Sequence, residues 1–176
     1  LVLSLSSMPI PPLGLPHFTN ATTADCREER ILPLGDGATL LGALSSLGGN
    51  GDAAYGRGML WAERVLSPQW QGVWTGDSTI PAAYEDAIIE KVALLLASSV
   101  ASDISENTRL ADTCARMKGN GIHLYTIDYL APAATSTLLQ DCASTAGHYF
   151  RVTDAAGLNR AFLSIARFLT IVRFPG

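Results

Sequence analysis

An apolar run at the centre of the chain, Val92-Ala93-Leu94-Leu95-Leu96, shows no alternation between apolar and polar residues. A strand with one face in water alternates, so an unbroken run is typical of a strand that is covered on both faces. Such strands belong to parallel sheets that lie between layers of helices. We therefore predict a buried strand over residues 88 to 96.

Helical and extended patterns alternate along the rest of the chain. Apolar residues at helical spacing predict helices over residues 54 to 66, 106 to 118 and 132 to 143, and a last helix that Asp154 caps. In that last helix, the residues expected to face inward are Leu158, Phe162, Ile165 and Leu169. Short strands are predicted over residues 122 to 127 and 148 to 150. This order predicts an α/β fold of three layers, with a mostly parallel central sheet and helices on both faces.

The first 30 residues differ in character from the rest. Residues 7 to 30 are rich in proline and small polar residues, which predicts an irregular segment, and the apolar residues 1 to 6 predict one strand. A helix with leucines on one face, Leu40, Leu41, Leu44 and Leu47, is expected after Gly37. We therefore divide the chain into residues 1–30, an irregular N-terminal segment, and residues 31–176, one α/β domain.

Composition and motifs exclude several classes of function. The formal net charge is −4, with only 12 Lys and Arg residues, so no basic surface for nucleic acid is expected. No Gly-x-Ser-x-Gly elbow and no phosphate-binding loop occur in the sequence, so we expect no enzymatic activity. The apolar stretches are too short or too interrupted by charge to span a bilayer.

The three cysteines are Cys26, Cys114 and Cys142, and they form no Cys-x-x-Cys pair. A structural zinc site is therefore not expected. From the residues alone, one disulfide with one free thiol and three buried thiols are equally compatible with this number.

Candidate binding residues follow the predicted strands, because ligands of open parallel sheets gather at the carboxyl ends of strands. They are Ser98, Ser99, Asp103, Asp128 and Tyr129, together with Asp52 in a glycine-rich loop. Glu85, Asp86 and Glu90 precede a strand and are expected to be solvated, and the three histidines, His17, His123 and His148, are interpreted as structural or surface residues. Trp70 and Trp74, in a long loop over residues 67 to 87, either contact a partner or hold that loop on the domain.

Several segments, in this order and spacing, resemble the C-terminal half of the von Willebrand factor A-like domain of TadE/TadG-like proteins, which belong to the tight-adherence (Flp) pilus machinery. They are Ile31 to Leu34, Gly49 to Asp52, Gly58 to Pro68, Lys91 to Leu96, Cys114 to Lys118, Gly121 to Ile127, Leu138 to Ser144, His148 to Phe150 and Asp154 to Thr170. The likeness covers about residues 31 to 172. It implies a von Willebrand A-like (Rossmann-like) sheet that lacks its first strand.

Such domains resemble integrin-type inserted domains, which hold a divalent cation at the top of the sheet through Asp-x-Ser-x-Ser, a Thr and an Asp. This chain has no Asp-x-Ser-x-Ser, has Asp52 at the Thr position, and has Ala97-Ser98-Ser99 where the resemblance places Thr-Asp-Gly. We expect no cofactor and a degenerate metal site. Asp52 and Ser98 are the candidate ligands if Mg²⁺ or Mn²⁺ binds.

The resemblance also implies a disulfide between Cys114 and Cys142, a periplasmic or cell-surface location, and a membrane anchor outside this chain. The expected function is a non-enzymatic protein–protein interaction module of bacterial pilus assembly, whose partners are pilus-assembly or cell-envelope proteins. Two alternatives stay open. One is a cation-dependent cell adhesion domain whose first metal-binding strand lies upstream, and the other is an α/β hydrolase-type enzyme.

Overall fold

The computed structural model describes residues 38, 41–42, 45, 53–74, 77–99, 101 and 103–172, with side chains to residue 169 in the last helix. The chain divides into two compact units, residues 1–51 and 52–176. The described residues of the first unit are helical, but Leu41 is exposed, so its predicted inward position is wrong. The second unit carries the sheet and the candidate site.

The second unit alternates helices and strands. In chain order these are α1 (Tyr55–Leu66), β1 (Val92–Ala97), α2 (Ile104–Gly119), β2 (His123–Tyr129), α3 (Ala133–Cys142), β3 (Tyr149–Val152) and α4 (Ala155–Val172). Short 3₁₀ turns cover Pro68–Trp70 and Ala146–His148. The predicted helices are confirmed to within two residues at each described end.

The sheet has the order β1-β2-β3, and both pairings are parallel. Each pair of strands is joined through one helix, α2 or α3, which is the connection that parallel neighbours need. The predicted α/β fold is confirmed. Three described strands also fit a sheet that lacks the first strand of the von Willebrand A-like pattern.

Helices cover both faces of the sheet because alternate residues of each strand point to opposite sides. On one face, Ala93 and Leu124 pack with buried residues of α1, α2 and α3. On the other, Tyr125 and Ile127 pack against Ala161 and Ile165 of α4. The strands therefore lie in the middle of three layers.

Besides Leu41, two predicted positions in the second unit are wrong. Strand β1 begins at Val92 and not at residue 88, because the Asp86 carboxylate accepts the backbone N–H groups of Ile88 and Ile89 at 2.8 and 2.9 Å and holds them in a turn. The Ile88 side chain is 93% exposed. In α4, Phe162 is exposed, and Ala161 occupies the inward position next to it.

The disulfide between Cys114 and Cys142 is present in the structure. It joins α2 to the end of α3, with the Cα atoms 5.2 Å apart, and both residues are buried. Cys26 lies outside the described residues.

The amino ends of α1 and α2 also meet. Glu106, in the first turn of α2, is fully buried, and its carboxylate accepts the backbone N–H of Arg57 at 2.9 Å. Its other oxygen accepts from the side chains of Arg57 and Arg109. Ala54 precedes α1 and has no side-chain oxygen, so Glu106 supplies the missing capping group from another helix.

Candidate functional site

The carboxyl ends of the strands come together at one edge of the sheet. Ala97 at the end of β1 is in register with Asp128 of β2, which is in register with Arg151 of β3. The predicted site residues Ser98 and Ser99 follow β1 at this edge and are exposed. The topology therefore places Asp128 near the ends of all three strands.

Asp128 is fully buried, and both of its carboxylate oxygens are hydrogen-bonded. Oδ1 accepts the backbone N–H of Ala131 at 2.9 Å, and Oδ2 accepts the hydroxyl of Tyr149 at 2.8 Å. Arg151 Nε lies 3.8 Å from Oδ2. Asp128 therefore joins the end of β2 to the turn that follows and to both ends of β3.

The pKa of Asp128 lies below its ordinary value. Burial raises this pKa, but hydrogen bonding from Ser136, from Tyr149 and from the Ala131 N–H, together with the charge of Arg151, outweighs the burial. The Ser136 hydroxyl also lies 3.2 Å from each of the carbonyl oxygens of Ala131 and Pro132, so these oxygens compete with Asp128 for its one proton. Asp128 is thus an ionised group whose oxygens are already engaged within the protein.

We expect Asp128→Asn to lower the free energy of unfolding at neutral pH by about 2 kcal/mol, because an amide cannot accept all the hydrogen bonds of the carboxylate. The lowered folded-state pKa means that the stabilisation by Asp128 is present above the unfolded-state pKa of about 4 and is lost as pH falls through the folded-state value. Urea unfolding at a series of pH values should therefore show the two proteins converging in acid. Asp141→Asn, at an exposed position, is the control, and a constant gap at every pH would contradict the prediction.

The turn after Asp128 holds Leu130 in an unusual conformation. Its φ is 56°, in the left-handed region that a leucine rarely adopts, and its side chain is 58% exposed. The Leu130 N–H donates to the carbonyl of Val152 at 3.1 Å, and the Ala131 N–H donates to Asp128. These two bonds fix the strained backbone, so an apolar side chain is displayed in water at the carboxyl edge.

A second apolar side chain is exposed beyond the carboxyl end of β1. Ile104, the first residue of α2, is 83% exposed, and Asp103 just before it caps the helix by accepting the Ser105 N–H at 2.6 Å. The predicted site residue Asp103 is therefore the N-cap of α2.

The described part of this edge does not fit a divalent cation. Ser98 supplies no carboxylate, Asp103 caps α2, and the oxygens of Asp128 are engaged. No group of three His, Cys, Asp or Glu side chains among the described residues is arranged to hold a metal ion. Asp52, the other candidate ligand, lies outside the described residues.

A histidine cluster lies at the opposite, amino edge of the sheet. His123 Nε2 lies 2.9 Å from Glu90 Oε1, and the ring of His148 stacks on Tyr125 at 4.1 Å and lies 6.1 Å from the ring of His123. Burial, and then the proximity of His123, lowers the pKa of His148. Glu90 is exposed, as expected, but the sequence gives no sign of its contact with His123, because the two residues are far apart along the chain. His17 lies outside the described residues.

Trp70 lies between two other tryptophans. Its ring stacks on Trp74 at 5.4 Å and meets Trp61 of α1 edge to face at 6.2 Å. The Arg64 guanidinium lies over Trp61 at 4.4 Å and over Trp70 at 5.6 Å. Trp70 thus fastens the loop to α1, and all three rings are half-buried. A role of Trp70 and Trp74 in contacting a partner stays a prediction.

The fold and the edge define an α/β protein with an open parallel sheet whose carboxyl edge displays apolar side chains. The chain matches no family model, no curated protein and no solved structure. Among the described residues, no helix has the length and apolar character needed to cross a membrane. The likeness to TadE/TadG-like proteins therefore rests on the sequence segments given above.

Proposed function

We propose that the chain is a non-enzymatic protein–protein interaction module of a bacterial tight-adherence pilus system, with a degenerate metal site. The observation that carries this proposal is the carboxyl edge of the sheet, where α/β proteins bind their ligands. The buried carboxylate at this edge is engaged internally, and the side chain displayed beside it is the strained, exposed Leu130. Such an edge suits contact with a protein better than it suits catalysis or a cation.

Two physical points support this reading. Backbone strain costs about 1–3 kcal/mol and persists only where the surrounding structure enforces it, so a strained and exposed leucine is a candidate contact residue. Fixing that leucine before binding also lowers the entropy lost when a partner covers it. Asp128, through the Ala131 N–H, then acts as a positioning residue for the contact surface.

The proposed location is periplasmic or at the cell surface, with a membrane anchor in the full-length protein. The Cys114–Cys142 disulfide supports an oxidising compartment. The proposed partners are pilus-assembly or cell-envelope proteins. A cation-dependent adhesion domain and an α/β hydrolase-type enzyme are the alternatives, and no described feature favours either.

The test uses crosslinking of the full-length protein in cells that assemble the pilus, followed by mass spectrometry. Leu130→Asn is expected to abolish crosslinks to pilus-assembly proteins and to leave the fold intact, because asparagine tolerates a positive φ. Ile88→Asn is the matched control, since Ile88 is also a large, exposed apolar residue but precedes β1 at the opposite edge. Equal crosslinking by both variants and the wild type, or absence of pilus proteins from all three, would overturn the proposal.

The tryptophan contacts predict a separate result. Trp70→Ala should lower the free energy of unfolding by about 2 kcal/mol, because the ring contacts of Trp70 with Trp61 and Trp74 are lost. Trp70→Phe should recover about half of that difference, and chemical denaturation measures both variants. A Trp70→Ala variant as stable as the wild type would show that the loop is not held by this stack. If Trp70→Phe lost crosslinks while keeping most of its stability, a partner contact at Trp70 would be supported.

A further inference from the structure

The outer edge of β3 carries backbone groups that do not bond to β2. The carbonyl of Val152 accepts the Leu130 N–H at 3.1 Å, so Val152 directs its backbone groups toward β2. Successive residues of a strand direct these groups to opposite sides, so the backbone groups of Arg151 point away from β2. Among the described strands, β3 pairs with β2 alone. Its free edge is therefore a template for one more strand.

An open groove of about 350 Å³ runs between this edge and α4. It is lined by the whole of β3, by residues 153 and 154, and by one side of α4 that includes Gly157, Arg160, Ala161 and Ser164. A Cβ atom at Gly157 would lie 3.4 Å from the Val152 Cβ and 3.2 Å from an Asp154 oxygen. The glycine keeps α4 close to β3 at this end of the groove.

The groove is basic although the chain as a whole has a net charge of −4. Arg151 and Arg160 line it, and Arg167 follows Arg160 at a spacing of seven residues, on the same side of α4. Asp154 is the only acidic residue in the lining, and its carboxylate already accepts the Gly157 N–H at 2.6 Å. The Arg151 side chain is 59% exposed, and its Nε lies 3.8 Å from the Asp128 carboxylate on the sheet face opposite α4, so Arg160 is the cation that faces the groove from α4.

We propose that this groove binds an extended, acidic segment of a partner protein, which adds to the sheet as a strand beside β3. The inference rests on the proposed function as an interaction module and specifies the chemistry of one partner. The backbone groups of Arg151 supply the strand hydrogen bonds, and acidic side chains of the segment that face α4 pair with Arg160. A second copy of β3 fits less well, because antiparallel pairing of two such edges brings their arginines together.

The experiment measures fluorescence anisotropy with a short, end-blocked peptide of alternating glutamate and valine. The wild-type protein is expected to bind this peptide and not the matched peptide with lysine in place of glutamate. Arg160→Glu should weaken binding by about tenfold or more. Arg109→Glu is unsuitable as a control because Arg109 pairs with Glu106. Arg167→Gln, at an exposed position of α4 beyond the residues that line the groove, should weaken binding less and serves as the milder comparison.

N-methylation of the peptide backbone separates strand addition from loose electrostatic attraction. Methyl groups on alternate amides should abolish binding in one register, in which they replace the N–H groups that face β3, and should be tolerated in the other. In a ¹⁵N–¹H spectrum, the Arg151 amide should shift on binding. Equal binding by both methylated peptides, or no effect of Arg160→Glu, would overturn the proposal, and so would an absence of binding.

These outcomes are distinct from those of the crosslinking test. Leu130→Asn should leave peptide affinity unchanged, because Leu130 does not line the groove. If the peptide bound but no pilus proteins were crosslinked, the proposed pilus function would be overturned and the proposed peptide site would stand. If crosslinks depended on Leu130 but the peptide did not bind, only the proposed peptide site would be overturned.

Discussion

Replacing both Cys114 and Cys142 with alanine is expected to lower the free energy of unfolding by about 3–4 kcal/mol. The disulfide closes a loop with a sequence separation of 28 residues, and the chain-entropy model gives about 3.5 kcal/mol for a loop of this size. The bond also fixes α2 against α3 at a buried position under the sheet. A domain of this size is commonly stable by only about 5–15 kcal/mol, so the loss removes a large share of its stability.

Chemical denaturation with and without reductant measures this effect. Reduced wild-type protein should unfold at nearly the same denaturant concentration as the double alanine variant, and reductant should not change that variant. Cys26→Ser, which keeps the Cys114–Cys142 bond, should respond to reductant as the wild type does. If reductant left the midpoint of the wild type unchanged, the bond would contribute little to stability.

Much of the fold could be predicted because periodicity is a local property of the sequence. The unbroken apolar run of β1 predicts a strand between two layers of helices, and the helical spacing in α2 and α4 predicts two of those helices. The errors arose where a local interaction interrupted a pattern. Ile88 and Ile89 are apolar residues that precede β1 by only Glu90 and Lys91, but the Asp86 carboxylate binds their N–H groups and holds them outside the strand. Ala161 was overlooked because a small residue gives a weak apolar signal, and Phe162 beside it gives a strong one.

The candidate site could be predicted only in part. The sequence placed Asp128 at the carboxyl edge because it follows a strand, and the structure places it at the predicted edge, within β2. The contacts that its carboxylate makes could not be predicted, since Tyr149 and Arg151 belong to the next strand and reach Asp128 through the parallel register. The positive φ of Leu130 also had no signal, because a leucine gives no indication of a left-handed backbone.

The role of Glu106 also could not be predicted, because the backbone N–H that it caps belongs to another helix. Removal of Glu106 is the second large effect that we expect. Its carboxylate is fully buried, accepts the Arg57 backbone N–H at 2.9 Å, and pairs with the side chains of Arg57 and Arg109. Glu106→Ala leaves the first turn of α1 without its capping acceptor and leaves Arg109 without its partner. Because the Arg57 backbone N–H loses a charged, buried acceptor at the start of α1, the free energy of unfolding should fall by about 2–3 kcal/mol.

Urea unfolding of Glu106→Ala and Glu106→Gln separates the hydrogen bond from the charge. The amide oxygen of glutamine can still accept the Arg57 N–H, so Glu106→Gln should lose about half as much stability. Glu63→Ala is the matched control, because Glu63 pairs with Arg116 at 2.8 Å near the surface, where such a pair contributes at most about 1 kcal/mol. A Glu106→Ala variant no less stable than Glu63→Ala would show that α1 does not depend on this carboxylate.

The close approach of the two helices gives an independent check on the same junction. A Cβ atom at Gly56 would lie 2.3 Å from the backbone oxygen of Glu106, which is closer than any real contact, so only glycine allows α1 to sit here. Alanine raises intrinsic helix propensity by about 1 kcal/mol relative to glycine, so Gly56→Ala would stabilise an isolated helix. In this protein the steric clash should outweigh that gain and lower stability. Gly58→Ala, in the same helix but with open space around its Cα, should keep the gain, and the opposite signs of the two changes locate the contact at Gly56.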